Sequence, residues 1–249
     1  MSDDYDFRAQ RLHVTGDLGP GAEVALSREQ MNYLVNVLRL ADGAAIHVFN
    51  GRDGEWRATL RRQGRRDAAL DVERQTRPQS AGPDLHYLFA PLKRTRLDYM
   101  VQKATELGVA RLVPVLTRHT IAERVNLERM RANVVEAAEQ CGILRIPEVA
   151  APVTLARLAG AWPPERRLVF CDEAAPIQDP IRALSAVEPG PLAVLIGPEG
   201  GFADDEREML VALPQVVRLA LGPRIMRADT AAVAALALVN AVLGDWGRG

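Results

Sequence analysis

Two glycine-containing segments carry the residues best suited to binding or chemistry. One reads Leu195-Ile-Gly-Pro-Glu-Gly-Gly-Phe202, and the other reads Ala220-Leu-Gly-Pro-Arg-Ile-Met-Arg-Ala-Asp-Thr-Ala231. Each follows an apolar run and precedes a helical pattern. Glycines let a ligand approach the backbone closely, and the N-terminus of a helix offers free N–H groups to an anion. The two segments therefore predict either a ligand site or plain tight turns between a strand and a helix.

The second segment adds charge to the glycines. Arg224, Arg227 and Asp229 would form a polar crevice at the end of an apolar strand. In the alternative interpretation, Asp229 or Thr230 only caps the helix and both arginines are solvated. Neither segment has the GxGxxG or GK[ST] spacing of the common nucleotide-binding loops.

A third candidate is the basic cluster Lys93, Arg94 and Arg96. It lies where a predicted strand ends and a helix begins. Cations are unfavourable at that end of a helix because of its dipole, and an anionic partner would relieve the cost. A solvated charged face is the alternative.

The elements that must position these residues fall into two groups. The first part of the chain alternates short strand patterns with turns, which predicts a small β-barrel; Ser27 and Gln30 form a capping box that starts one helix inside it. Residues 77–84, rich in proline and glycine, predict a linker. The predicted strands of the first part are 11–14, 22–26, 45–50, 55–60 and 68–74.

The second part alternates apolar strands with helices, which is typical of a mainly parallel α/β sheet. In such sheets ligands bind beyond the carboxyl ends of the strands, where all three candidate segments begin. The predicted strands are 85–90, 111–116, 168–171, 192–196 and 216–221. The predicted helices are 97–107, 127–140, 181–187, 204–213 and 230–243.

The composition excludes several classes of protein. Apolar residues make up 48% of the 249 residues and the net charge is −1, which excludes a disordered or strongly basic chain. The two cysteines, Cys141 and Cys171, form no metal-binding or CxxC spacing. No signal peptide and no membrane-spanning run is visible, so we expect a cytoplasmic protein that uses no metal and no membrane.

Five stretches together resemble the RsmE family of 16S ribosomal RNA methyltransferases, within the SPOUT superfamily of α/β-knot methyltransferases. They occur in family order over nearly the whole chain, and the order makes the resemblance specific. The stretches are Asn36-Val-Leu-Arg-Leu, Val101-Gln-Lys-Ala-Thr-Glu-Leu-Gly-Val109, Ala137-Ala-Glu-Gln-Cys-Gly142 with Arg145, Leu195-Ile-Gly-Pro-Glu-Gly-Gly201 and Leu221-Gly-Pro-Arg-Ile-Met-Arg227.

The resemblance implies an RNA-binding PUA-like β-barrel at residues 1–77 and a SPOUT domain at residues 84–249 whose last elements form a trefoil knot. It implies S-adenosylmethionine as cofactor and a homodimer. The implied reaction is methylation of N3 of one uridine in the decoding region of 16S ribosomal RNA, and the implied partner is that RNA within the small ribosomal subunit.

The resemblance also assigns residues. Residues 197–201 and 219–227 would form two cofactor loops, and the residues after Cys171 a third wall, with adenine among Leu221, Ile225 and Met226. The implied cofactor-binding residues are Cys171, Ile196, Gly197, Glu199, Gly200, Gly201, Leu219, Leu221, Gly222, Ile225 and Met226. The RNA-contact candidates are Arg8, Arg11, Arg39, Lys93, Arg94, Arg96 and Arg145.

For that reaction, Arg227 is the candidate to stabilise negative charge on a uracil oxygen. Asp229 and Glu199 are equal candidates for accepting the N3 proton, and a group of the RNA or a water molecule is the alternative. The family usually has Thr-Glu-Thr where this chain has Ala228-Asp229-Thr230, so the carboxylate is one methylene shorter.

Three alternative functions stay open from the sequence. One is a related knotted methyltransferase that acts on a ribose 2′-hydroxyl of transfer RNA. Another is an RNA-binding assembly factor that has lost the cofactor, although the glycines at 197, 200, 201 and 222 are intact. The third is a nucleotide-binding oxidoreductase, which the missing GxGxxG disfavours.

Overall fold

A computed structural model describes residues 9–64, 67–121 and 124–246. The chain divides into two compact units. The first takes the chain up to Ala81 together with Ala138–Arg145, and the second takes Gly82–Ala137 and the chain from Ile146 onwards. Nothing in the sequence pattern predicts that the segment Ala138–Arg145 belongs with the first unit.

The first unit is built on a five-stranded sheet in the order β1-β3-β4-β5-β2. β1 pairs with β3 in parallel, and the other pairs are antiparallel. Its core is a set of apolar side chains that includes Leu34, Ile46, Leu60 and Leu70. The predicted small β domain is therefore confirmed. The strands are β1 (Arg11–His13), β2 (Glu23–Ala25), β3 (Ala45–Phe49), β4 (Glu55–Arg62) and β5 (Ala68–Arg77).

The capping box predicted in this unit is confirmed. The Ser27 hydroxyl accepts a hydrogen bond from the Gln30 backbone N–H at 3.1 Å, and the Gln30 side chain accepts one from Ser27 N–H at 3.0 Å. These bonds start helix α1 (Arg28–Met31), which continues as a π-helical segment over Asn32–Val37. The spacing of apolar residues predicted the helix but not its wider turns.

Glu55 is the buried centre of the ion pairs in the first unit. Its carboxylate is fully buried and accepts hydrogen bonds from Arg11 at 3.0 Å, Arg77 at 2.7 Å and Thr76 at 2.8 Å. Burial raises the pKa of this carboxyl, but hydrogen bonds from His47, Arg77 and Thr76 outweigh it and hold the pKa well below its usual range. Arg77 also donates to the Gly142 carbonyl at 2.8 Å, which attaches the segment Ala138–Arg145 to this unit.

The second unit is a seven-stranded parallel sheet in the order β12-β10-β11-β6-β7-β8, with β9 paired to β7. The alternation of strands and helices expected for this part of the chain is confirmed. The strands are β6 (Leu85–Phe89), β7 (Arg111–Leu116), β8 (Glu148–Val149), β9 (Val153–Thr154), β10 (Arg167–Cys171), β11 (Leu192–Ile196) and β12 (Val216–Leu219). The helices are α2 (Arg94–Glu106), α3 (Leu127–Cys141), α4 (Leu155–Gly160), α5 (Pro180–Ser185), α6 (Asp204–Val211) and α7 (Ala228–Val242).

Two details of this unit differ from the sequence prediction. The short elements β8, β9 and α4 were not predicted, because two-residue strands and a six-residue helix carry too few residues to show a period. Helix α7 begins at Ala228 with Arg227 at its N-cap, so neither Asp229 nor Thr230 is the capping residue.

No helix within the described ranges has both the length and the hydropathy needed to cross a bilayer.

Replacing Glu55 with glutamine should destabilise the first unit by about 3 kcal/mol, because it leaves Arg11 without its buried carboxylate. Since the folded pKa of Glu55 is lowered, its stabilisation is fully present above the unfolded pKa of about 4.3 and is lost progressively as the pH falls from there towards the folded pKa. Urea unfolding of wild type and Glu55→Gln at pH 7 and at about pH 2.5 should therefore show a difference that shrinks at low pH.

The matched control is Glu73→Gln, which removes a half-exposed pair with Arg57. It should change the free energy of unfolding by less than about 1 kcal/mol. An equal loss in both variants would contradict the central role of Glu55.

Candidate active site

Three neighbouring strands bring the predicted cofactor residues to one edge of the sheet. β10 lies between β12 and β11, and all three run in the same direction. Cys171 and Leu219, the last residues of β10 and β12, are register partners, and Ile196 ends β11. Asp172 N–H then donates to the Leu219 carbonyl at 3.0 Å, so the pairing continues into the loop. The loops that follow these strands begin side by side.

The loop after β11, residues 197–201, is held by its own glycines and by neighbouring elements. A methyl group at Gly197 would lie 2.5 Å from the Phe202 ring, so only glycine fits beneath that ring. Phe202 packs edge-on against Phe170 of β10, with ring centroids 5.3 Å apart. Gly201 has φ +71°, a left-handed conformation that favours glycine. These requirements explain the glycines at 197 and 201.

The loop after β12, residues 220–227, is more open. Gly222 has φ +92°, and Leu221 and Met226 are half-buried. Ile225 is 98% exposed, an unusual position for a large apolar side chain. Arg227 is exposed at the N-cap of α7 and pairs with no carboxylate of the described residues. This loop therefore offers backbone, apolar surface and two exposed cations, Arg224 and Arg227, at the carboxyl edge.

The two candidate proton acceptors have different surroundings. The Glu199 carboxylate pairs with the guanidinium of Arg96 in the first turn of α2. Asp229 lies in the first turn of α7, where its carboxylate accepts the Thr230 backbone N–H at 2.9 Å. Glu199 thus has a cationic partner, whereas Asp229 pairs with no cation among the described residues.

Two groups beneath this edge stay protonated. Burial raises the pKa of the Cys171 thiol to about 12, and the charge of Asp172 adds to the effect. Burial also raises the pKa of Tyr87 on β6 well above its usual value, with Cys171 and Asp229 contributing. A protonated thiol is a poor nucleophile, so Cys171 presents a small apolar side chain at this edge.

A charged network that no sequence motif predicts holds the loop after β10. Asp172, directly after β10, is buried and its carboxylate accepts hydrogen bonds from Arg218 at 2.7 Å and Arg207 at 3.0 Å. Burial raises the Asp172 pKa, but these two arginines and the Ala174 N–H outweigh it and lower it. An aspartate at the carboxyl end of a predicted strand was the signal available in the sequence.

His119, which no sequence motif singles out, lies in the turn after β7. Its Nδ1 is 3.0 Å from the carbonyl oxygen of Gly201. The neighbouring Arg118 pairs with Asp205 at the start of α6. No motif pointed to either residue, because the turn is far from the glycine segment along the chain.

The structure separates the RNA-contact candidates into different environments. Lys93 and Arg94 are exposed at the start of α2, whereas Arg96 is engaged by Glu199. Arg39 is exposed and has φ 57°, and Arg145 donates to the Ala81 carbonyl. Arg8 lies outside the described residues.

The predicted RNA contact of Arg11 is wrong. This residue was a candidate for RNA contact, but it is only 4% exposed and its guanidinium is bound to Glu55. A buried arginine that neutralises a buried carboxylate has a structural role, so we remove it from the RNA-contact candidates.

Comparisons with known proteins agree with this geometry. The family described as RNA methyltransferase domain matches residues 79–240, and the one described as RNA methyltransferase PUA domain matches residues 26–73. Ribosomal RNA small subunit methyltransferase E of Rickettsia conorii is 28% identical, covering 92% of this chain and 94% of that protein. The protein of the same name from Synechocystis sp. is 32% identical, covering 94% of this chain and 78% of that protein.

A solved structure shows the same fold. A Legionella pneumophila chain in complex with the cofactor SAM is 28% identical and has a TM-score of 0.84, covering 96% of this chain and 99% of that chain. The first family match spans more than half of the chain, and both relatives are similar over nearly its whole length. The two-unit fold, the glycine loops at the carboxyl edge and these matches together establish that this chain belongs to the RsmE family of RNA methyltransferases.

Proposed function

We propose that this protein transfers a methyl group from S-adenosylmethionine to N3 of one uridine in the decoding region of 16S ribosomal RNA. The observation that carries the proposal is the convergence of three loops, after β10, β11 and β12, at one edge of the sheet. Support comes from the similarity to ribosomal RNA small subunit methyltransferase E and to a SAM-bound chain.

The residues at this edge fit S-adenosylmethionine. The loops at 197–201 and 220–227 expose backbone beside glycines, and Leu221 and Met226 add half-buried apolar surface suited to adenine. We assign cofactor contacts to these loops and to the wall at Cys171, as the sequence analysis predicted. The exposed Ile225 side chain would gain apolar contact on binding.

The chemistry needs little from the protein beyond orientation and handling of one proton. The sulfonium group of S-adenosylmethionine supplies the electrophilic methyl when it is bound. Uracil N3 is protonated at neutral pH, so the proton must leave before or during transfer. N3 lies on the Watson–Crick edge, so the target base must be unpaired or flipped out of a helix.

We assign these tasks to two side chains at the start of α7. Arg227 stabilises negative charge on a uracil oxygen, since its guanidinium is exposed and pairs with none of the described carboxylates. Asp229 accepts the N3 proton. Glu199 instead binds Arg96 and keeps the glycine loop beside α2.

The proposed partners are RNA and a second copy of this chain. We assign the first unit, with Arg39 and Arg145, and the start of α2, with Lys93 and Arg94, to RNA binding. We propose that the protein acts as a homodimer in the cytoplasm and that its substrate is the small ribosomal subunit. We further propose that residues 1–77 and 84–249 are its two functional domains. Binding that depends on phosphate contacts should weaken as the salt concentration rises.

The direct test is transfer of labelled methyl from S-adenosylmethionine to small subunits from a strain that lacks the endogenous enzyme. Nucleoside mapping should recover the label as 3-methyluridine at one site in the decoding region. Label on a ribose 2′-hydroxyl would contradict the N3 assignment, and label on transfer RNA alone would contradict the substrate.

Replacing Gly197 with alanine should weaken S-adenosylmethionine binding at least about tenfold, because the new methyl group displaces Phe202 and with it the glycine loop. Isothermal titration calorimetry measures the affinity. The control is Gly190→Ala, where a methyl group meets nothing within 4 Å. Equal affinities in the two variants would contradict the role of the loop.

Arg227→Ala and Asp229→Asn should each keep the fold and S-adenosylmethionine affinity while lowering kcat by about a hundredfold or more. Glu199→Gln should have a smaller effect on kcat, because its carboxylate is already bound to Arg96. Steady-state methyl transfer measures kcat for all three variants, with the exposed Arg182→Ala on α5 as a control. A larger kcat loss in Glu199→Gln than in Asp229→Asn would reverse our assignment of the base.

A further inference from the structure

The turn after β7 contacts the glycine loop, residues 197–201, which follows β11. The strands β7 and β11 are not neighbours in the sheet. β6 lies between β7 and β11 in the sheet. Even so, His119 Nδ1 is 3.0 Å from the Gly201 carbonyl oxygen. A methyl group at Gly200 would lie 3.5 Å from the His119 side chain, so the ring rests against that glycine.

The turn, residues 117–120, is itself rigidly built. The Thr120 hydroxyl accepts the Thr117 backbone N–H at 2.8 Å and lies 2.9 Å from the Thr117 hydroxyl. Thr120 N–H also donates to the Thr117 carbonyl at 3.1 Å. These bonds fix the backbone on both sides of His119.

A second contact joins the same turn to the far end of the glycine loop. The Glu206 carboxylate accepts the Arg118 backbone N–H at 2.8 Å through one oxygen and the Ala203 backbone N–H at 3.1 Å through the other. Ala203 is the N-cap of α6, so Glu206 joins the turn to the residue that ends the loop. The glycine loop and the two residues that follow it are thereby attached to the turn at Gly201 and at Ala203.

We infer that His119 is a positioning residue for the methyl-transfer reaction. Its Nδ1–H donates to the Gly201 carbonyl and so fixes the orientation of the Gly200–Gly201 peptide groups that face the cofactor. This inference rests on the proposed function, because it assigns the glycine loop to S-adenosylmethionine. His119 touches neither the methyl group nor the uracil in this account and acts only through the loop.

The test compares His119→Leu with His119→Asn. Leucine removes the donor but keeps a similar volume, whereas the asparagine Nδ2 can occupy the place of the histidine Nδ1. Because His119 is exposed, the melting temperature should stay unchanged in both variants. His119→Leu should raise the KM for S-adenosylmethionine about tenfold with kcat within about twofold, and His119→Asn should restore most of the KM.

The matched control is His86→Leu, the same substitution near the amino end of β6. It should leave the KM for S-adenosylmethionine unchanged. A KM in His119→Leu within twofold of wild type, or a loss confined to kcat and melting temperature, would overturn the positioning role.

A second measurement needs no cofactor. Amide hydrogen exchange over residues 198–203 should be faster in His119→Leu than in wild type, and near wild type in His119→Asn. Unchanged exchange in His119→Leu would overturn the inference. Absence of S-adenosylmethionine binding by the wild-type protein would instead overturn the proposed function.

Discussion

The site depends on one constraint, the parallel pairing of β12, β10 and β11. Parallel strands end at the same edge, so each crossover returns its loop to that edge. The register pair Cys171 and Leu219 fixes where two of the loops begin. This pairing brings residues near 171, 197 and 222 to one edge although they are far apart along the chain.

The loops themselves are held by carboxylates that contact arginines or backbone N–H groups. Asp172 anchors the loop after β10 through Arg207 and Arg218, and Glu199 anchors the glycine loop through Arg96. Carboxylates bound to arginines in this way are occupied by those contacts. Asp229 accepts a backbone N–H and pairs with no cation among the described residues, so it is the base that we propose.

Much of the fold could be predicted from the sequence, since the strands β7 and β11 were predicted to the residue. Turn-forming residues flank the apolar runs of these two strands, so the first and last residues of each strand can be recognised in the sequence. The glycine loops were also predicted, because Gly-Pro pairs break strands at a recognisable place.

The rest could not be predicted because it depends on contacts between distant residues. Nothing in the sequence around Arg11 distinguishes it from a surface arginine. Only its contact with Glu55 shows that its role is structural. His119 belongs to no motif, and its contact with Gly201 spans more than eighty residues of chain. The attachment of Ala138–Arg145 to the first unit rests on bonds such as Arg77 to Gly142, which no local pattern reveals.

The measurement that tests the account most directly is a crystal structure of this protein grown with S-adenosylmethionine. We predict that the cofactor contacts the three loops that follow β10, β11 and β12, with adenine against Leu221 and Met226. A cofactor bound at the amino edge of the sheet, or one that contacts none of these loops, would contradict the account.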